Sequence, residues 1–146
     1  GGLMWIIAAP LLAAMVSPNA PSHLVVGDYA GVFLWLIGFF FESVGDWQLK
    51  RFKADPANKG KVLDRGVWKY TRHPNYFGDA AQWWGFYLLA ASAGAWWTIF
   101  SPILMTTLLV RVSGVKLLEK TLETRPGYKE YVERTSAFIP WFQKKA

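Results

Sequence analysis

An all-α membrane protein is the fold this sequence predicts: a multi-spanning bundle of about four transmembrane helices, followed by an amphipathic helical region on the cytoplasmic surface. Three observations predict it. Hydrophobic residues make up 53% of the 146 and aromatic residues 17%, too greasy for an ordinary soluble domain, and the nine Trp favour membrane interfaces. The apolar residues come in runs separated by loop chemistry. The formal charge of +6 is gathered into two segments, Lys50 to Arg72 and Arg111 to Lys145, whereas residues 1–45 carry only Asp28 and Glu42. Such clustering orients a membrane protein. The length gives room for one membrane domain, and the start at Gly1-Gly2 without an initiator Met reads as a piece of a longer protein.

Leu3 to Val16 is apolar or small throughout but short of the roughly 20 residues a bilayer crossing needs, so it reads as a span cut at its start or as a shallow helix. Ser17 to Ser22, with Pro18 and Pro21, is an uncharged loop expected to face away from the cytoplasm. A second span runs from about Tyr29 to Val44 and continues as helix to about Phe52, with Glu42 and Asp46 four residues apart on one face near its inner end. Residues 47–76 form a long basic connection, cytoplasmic by the positive-inside rule and broken at Pro56, Asn58 and Gly60.

Phe77 to about Trp96 predicts a third helix, weakly interrupted at Ser92-Ala93-Gly94, and Trp97 to Val112 a fourth. Pro102 either kinks that fourth helix or marks its first turn. Beyond Gly114 the interleaving of Glu119, Lys120, Glu123, Lys129 and Glu130 with Leu118, Leu122, Tyr128 and Tyr131 predicts surface-lying helices, broken in two at Arg125-Pro126-Gly127. An aromatic tail, Phe138 to Phe142, then lies back on the protein or the bilayer. The topology that satisfies the charges puts both Gly1 and Ala146 on the cytoplasmic side.

Several chemistries are excluded. Without Cys there is no disulfide, thiol nucleophile or thiolate metal site, and two isolated His residues argue against a metal centre. The aromatics fall within the apolar spans rather than on a basic face, which argues against nucleic acid, and no glycine-rich phosphate loop is present.

The candidate site centres on Trp68-Lys69-Tyr70-Thr71-Arg72-His73-Pro74-Asn75-Tyr76-Phe77-Gly78-Asp79. Pro74 pushes His73 onto extended backbone, so a helix begins near Asn75 or Tyr76, and its free N–H groups favour a phosphate-bearing ligand. Asn75, Tyr76 and Asp79 occupy the first turn or so. Glu42 stands at the edge of an apolar span, where a carboxylate needs a partner. Asp46, Lys50 and Lys53 form a ladder along one helical face, able to grip ribose hydroxyls and phosphates. Arg72, Lys61 and Arg111 bring cations from three segments, although Arg111 reads equally well as a snorkelling anchor. His73 reads as a general acid or as a hydrogen-bonded structural residue, and Glu119 as a solvated face or as a cap on the site from below.

The run Gly66-x-Trp68-x-Tyr70-x-Arg72-His73-Pro74-Asn75-Tyr76-Phe77-Gly78-Asp79, followed by Glu119, Gly127-Tyr128, Tyr131 and Phe138-Ile139-Pro140, resembles the C-terminal domain of the steroid 5-alpha-reductase family, most of all its uncharacterised bacterial members. The resemblance covers nearly the whole chain. It implies an integral protein of the bacterial inner membrane with NADPH in a cavity open to the cytosol. Hydride would pass to an activated carbon–carbon double bond of a steroid-like or isoprenoid-like lipid. Asn75 and Asp79 match the family's Asn-aromatic-x-Gly-acid motif, while Asp46, Lys50 and Lys53 match a cofactor-binding Asp followed by basic positions. Arg111 matches a cofactor-binding arginine, but Val115 and Glu119 replace the His and Tyr that follow it in the steroid enzymes, and Glu42 stands where those enzymes carry Asn. The resemblance places the acid and tyrosine that polarise the enone in N-terminal helices outside this chain, so no catalytic residue is assigned within it.

Isoprenylcysteine and phospholipid methyltransferases share the Arg-His-Pro-x-Tyr-x-Gly core and use S-adenosylmethionine. Asn75 and Asp79 favour the reductase. A non-catalytic membrane scaffold is the third reading, and it leaves Glu42, Asn75 and Asp79 without work.

Overall fold

The computed structural model describes residues 1–113 and 115–144; Gly114, where the amphipathic region was expected to begin, and the C-terminal Ala146 lie outside the described residues. Helices, turns and loops account for all of the described residues, with no strand among them. The chain divides into two compact units, residues 1–39 with 79–108 and residues 40–78 with 109–146.

In the first unit the N-terminal apolar run is split into α1 (Gly2–Ile7) and α2 (Ala9–Val16), with Pro10 opening the second. Eight residues of helix rise only about 12 Å, so neither piece alone has the length of a bilayer core of about 30 Å. The long α3 (Val26–Ala54) starts three residues before the expected Tyr29 and ends two past Phe52. Its beginning is fixed by Asp28, whose Oδ2 accepts from the backbone N–H of Val25 at 2.8 Å. The partner, α4 (Pro74–Ser92), comes within backbone distance of it at two glycines. A Cβ on Gly85 would lie 2.7 Å from the carbonyl oxygen of Gly31, so only glycine permits this approach.

After α4 the chain turns at Gly94 with φ of 88°, a left-handed conformation that glycine adopts without strain. A 3₁₀ turn (Trp96–Ile99) leads into α5 (Phe100–Thr107). Pro102 therefore falls in the first turn of α5, where its missing N–H costs no hydrogen bond. Ser101 Oγ donates to the carbonyl of Ile7 at 2.5 Å, and Ser17 Oγ donates to that of Ala93. Both bonds tie the N-terminal helices to the later ones within the unit.

One helix among the described residues, Val26–Ala54, is long and apolar enough to cross a membrane, with a mean hydropathy of 1.3 over its best window. Phe33, Leu36 and Phe39 on it are exposed, as a lipid-facing side would be. The other three expected spans do not reach that length and apolarity as single helices, each for its own reason. The first is broken at Pro10; α4 carries Asn75, Asp79 and Gln82; and the last apolar stretch, Trp96–Val112, is too short.

The second unit contains the inner half of α3, the basic connection, α6 (Val115–Leu122) and α7 (Tyr128–Arg134). The connection is structured by short-range capping: Asp55 Oδ1 accepts from Ala57 N at 2.9 Å and Asn58 Nδ2 donates to Phe52 O at 3.1 Å, closing a 3₁₀ turn over Pro56–Asn58. A second 3₁₀ turn, Gly66–Lys69, is anchored to α3 by Gln48 Oε1, which accepts from Val67 N at 3.1 Å, and by Trp68 Nε1, which donates to Gly45 O at 3.2 Å. Arg125-Pro126-Gly127 separates α6 from α7 as expected. The aromatic tail lies back on the protein: Arg72 N donates to Ser136 O and Trp141 N to Tyr70 O, both at 2.9 Å. Thr71, fully buried, donates through Oγ1 to Phe138 O at 2.8 Å.

Candidate functional site

The sequence around His73-Pro74 does what its chemistry dictates. His73 sits on non-helical backbone and Pro74 occupies the first position of α4, one residue earlier than expected, because a fixed φ and a missing N–H suit that position. At the same point a Cβ on Gly45 would lie 3.2 Å from Asn75 N, so glycine lets α3 close on the helix start. Asn75 then reaches Asp46: its Nδ2 donates to Asp46 Oδ1 at 3.0 Å. Two residues singled out separately in the sequence are thus one hydrogen-bonded pair, which fixes the orientation of the Asn75 amide and leaves its carbonyl oxygen as acceptor.

Behind the motif lies a tightly bonded cluster. Arg72 Nε donates to Glu119 Oε1 at 2.7 Å, and Arg72 Nη1 donates to the carbonyls of Thr135 at 2.7 Å and Val132 at 3.1 Å. The Arg72 side chain is only 10% exposed. Its guanidinium therefore ties the loop to α6 and the end of α7. His73 Nε2 meets the same Glu119 oxygen at 3.2 Å, and its ring stacks on Tyr76 with centroids 5.8 Å apart. Burial lowers the His73 pKa from its ordinary value, and Arg72 adds to this, while the hydrogen bond and charge of Glu119 oppose it. A neutral His73 donating Nε2–H to Glu119 presents Nδ1 as an acceptor.

A cavity of about 650 Å³ opens in this unit, well within the range typical of cofactor sites. Lys53, Lys59, Lys61 and Arg125 supply its positive charge, and Leu49, Phe52, Leu63 and Leu122 are among its apolar lining. Asn75, Tyr76, His73 and Arg72 also line it, as does Tyr128. Arg125 is positioned by its Nη1, which donates to the Lys61 carbonyl at 3.0 Å. Tyr131 is buried, and its hydroxyl donates to Trp68 O at 2.6 Å, holding α7 against the connection. Tyr128 is equally buried, yet its hydroxyl has no hydrogen-bond partner among the described residues. Burial and the charge of Glu119 push the Tyr128 pKa up to about 12.

Of the residues that the sequence singled out, Lys53, Lys61, Arg72, His73, Asn75 and Tyr76 line this cavity together. Asp46 and Glu119 stand one bond behind it, through Asn75 and through Arg72 and His73. Glu42 and Lys50 lie on α3 outside the cavity lining, Lys50 exposed. Asp79, one turn beyond Asn75 on α4, belongs to the first unit. Arg111 is exposed and lies on a six-residue π-helical turn, Leu108–Ser113, outside the lining. Of the expected convergence, Arg72 and Lys61 line the cavity together, with Lys59 and Arg125 beside them, while Arg111 is outside the lining. Lys59 was legible as half of the Lys59-Gly60-Lys61 pair; Arg125 had no signal beyond its place in a turn.

Among the described residues the fold defines a class of protein that is all-helical, with one apolar helix of spanning length and a basic, apolar-backed cavity. The chain belongs to the family described as protein of unknown function (DUF1295), whose model matches residues 2–135. It is 26% identical, over 94% of its length, to an uncharacterised protein of Schizosaccharomyces pombe, of which it covers 45%. It is 31% identical, over 56% of its length, to 3-oxo-5-alpha-steroid 4-dehydrogenase 1 of Rattus norvegicus, covering 30% of that protein. A probable O-methyltransferase of Ustilaginoidea virens is 33% identical over 63% of the chain, which covers 31% of it. The chain thus spans less than half the length of the curated relatives it matches. No solved structure matches it.

Proposed function

We propose that the chain is the cofactor-holding part of a membrane-embedded, NADPH-dependent reductase that acts on a carbon–carbon double bond of a hydrophobic lipid, steroid-like or isoprenoid-like. The observation that carries this reading is the cavity lining, where Lys53, Lys59, Lys61 and Arg125 gather beside the amide of Asn75. The donor set fits a dinucleotide carrying several phosphates, since cations grip phosphate oxygens through charge-assisted bonds. When bound, NADPH supplies the hydride; the protein supplies binding, orientation and a dry slot.

Lys53, Lys59, Lys61 and Arg125 would bind phosphates, and Leu49, Phe52 and Leu63 would exclude water from the apolar part of the cavity. Asn75, oriented by Asp46, offers its carbonyl oxygen to an amide N–H₂. Similarity to 3-oxo-5-alpha-steroid 4-dehydrogenase 1, named for a redox reaction at a steroid, supports the reaction class. In this reading α3 crosses the membrane, the remaining crossings of the bundle are made by the apolar parts of the first unit packed together, and Lys50 to Arg72 and both termini face the cytoplasm. The protein is then integral to a bacterial inner membrane and in contact with its lipids.

The second reading is an S-adenosylmethionine-dependent methyltransferase, favoured by the similarity to a probable O-methyltransferase. Its cofactor has a sulfonium cation and no phosphate, so a cavity lined by Lys53, Lys59, Lys61, Arg72 and Arg125 against the single carboxylate of Asp55 favours the phosphorylated nucleotide. Titrating the detergent-purified chain with NADPH and with S-adenosylmethionine separates the two. Saturable binding of NADPH alone is the expected result, and binding of S-adenosylmethionine alone replaces the reductase with the methyltransferase.

A further inference from the structure

Among the described residues, Tyr128 is the one cavity-lining side chain whose polar atom is buried with its hydrogen bond unmade. The residue is 3% exposed and its hydroxyl has no partner. A buried O–H usually finds an acceptor, and leaving it unpaired destabilises the fold by an amount comparable to a lost hydrogen bond. Its neighbour Tyr131, on the same helix face, is satisfied by the Trp68 carbonyl. The contrast is informative because phenylalanine would fill the same space at Tyr128 without the penalty. Ring packing against Tyr131, with centroids 6.2 Å apart, needs no hydroxyl.

We propose that the Tyr128 hydroxyl donates a hydrogen bond to a neutral acceptor, a carbonyl oxygen or ring nitrogen, on the nucleotide that fills this cavity. The inference rests on the reading of the cavity as a nucleotide site and adds a specificity determinant to it. Electrostatics decide the kind of acceptor. Glu119 lies close enough to disfavour ionisation of Tyr128 more than Arg72 favours it, and Glu123 acts in the same direction as Glu119. A hydroxyl that burial and Glu119 keep protonated is a neutral donor, which gives a phosphate oxygen less than a cationic side chain does. The phosphates go to Lys53, Lys59, Lys61 and Arg125, which leaves Tyr128 for one of the aromatic ring systems at the ends of the dinucleotide. Small side-chain adjustments of the kind common on binding bring the hydroxyl to the ligand.

The test is Tyr128→Phe, measured in two ways on the detergent-purified chain: thermal unfolding without ligand, and titration with NADPH. The expected result has opposite signs. The unliganded variant melts at the parent's temperature or above it, because an unpaired hydroxyl has been removed, while its dissociation constant for NADPH rises about tenfold. A parallel titration with ADP-ribose 2′-phosphate, which lacks the nicotinamide, locates the acceptor. A penalty that persists places it on the adenine, and one that disappears places it on the nicotinamide carboxamide. If the parent binds NADPH and the variant binds it equally well, the inference is overturned and the cofactor reading stands. A variant that melts lower than the parent also overturns it, since the hydroxyl then has a structural partner. A parent that binds no NADPH removes the nucleotide reading and this inference together.

Discussion

Glu119 is the single side chain on which the cluster behind the motif depends, and Glu119→Ala measures how much. One of its oxygens accepts from both Arg72 Nε and His73 Nε2. Removing it strands a guanidinium that is 10% exposed and withdraws the acceptor from a buried imidazole. Breaking a fully buried ion pair costs about 3–5 kcal/mol. Here Arg72 retains two carbonyl acceptors, and the Glu119 side chain is 24% exposed, so water partly replaces it. The expected loss is about 2 kcal/mol, the size of one charge-assisted hydrogen bond to a buried group. For a chain of this size that is a fall in melting temperature of about 4–8 °C.

Thermal unfolding of the detergent-solubilised protein reads the loss, with Glu119→Gln expected to fall between parent and Ala. A double-mutant cycle with Arg72→Leu should show coupling of at least about 1 kcal/mol, because each single change leaves a buried partner uncompensated. An Ala variant within about 0.5 kcal/mol of the parent, or strictly additive single changes, would refute the view that Glu119 holds the motif in place.

Acidification should destabilise the protein through His73. Its folded pKa is lowered below 6.5, so in the window below 6.5 the unfolded chain binds a proton that the folded one does not. Stability therefore falls as pH drops from 7.5 to 5.5, and His73→Gln should flatten that fall; an equal fall in both proteins would contradict it. Lys53→Ala should weaken NADPH binding by about 1–3 kcal/mol, more than it weakens NADH binding, whereas Lys50→Ala should do little because Lys50 is off the cavity lining. Equal losses from the two lysines would return the site to the outer face of α3. A cysteine introduced at Asn19 should be labelled from outside intact cells and one at Asn58 protected, following the asymmetry of positive charge; the reverse pattern inverts the topology.

The helical class was legible from the apolar runs, and so was the hinge at His73-Pro74, because a proline constrains both itself and its predecessor. The break at Arg125-Pro126-Gly127 was equally plain. What the sequence hid is pairing between distant segments. Nothing in the spacing of Asp46 and Asn75 announces that they bond, since the contact depends on Gly45 letting α3 approach the start of α4. Arg72 read as a free cation for phosphate, but its Nε and Nη1 are engaged by Glu119 and by carbonyls at 132 and 135, which are far away in the chain. Tyr128 and Tyr131 looked alike as apolar positions of an amphipathic stretch. Only the placement of Trp68 O beside one of them distinguishes the satisfied hydroxyl from the unsatisfied one. Hydropathy alone did not register that the first apolar run divides at Ala8, just ahead of Pro10.

The most direct test of the central claim, that the cavity of the second unit holds NADPH, is the footprint of that nucleotide in amide hydrogen exchange. At saturating NADPH, exchange should slow in residues 53–63 and 118–131, the two segments that contribute most of the cavity lining, and should be unchanged in residues 17–25. Saturable binding that leaves both cavity segments unprotected would contradict the account.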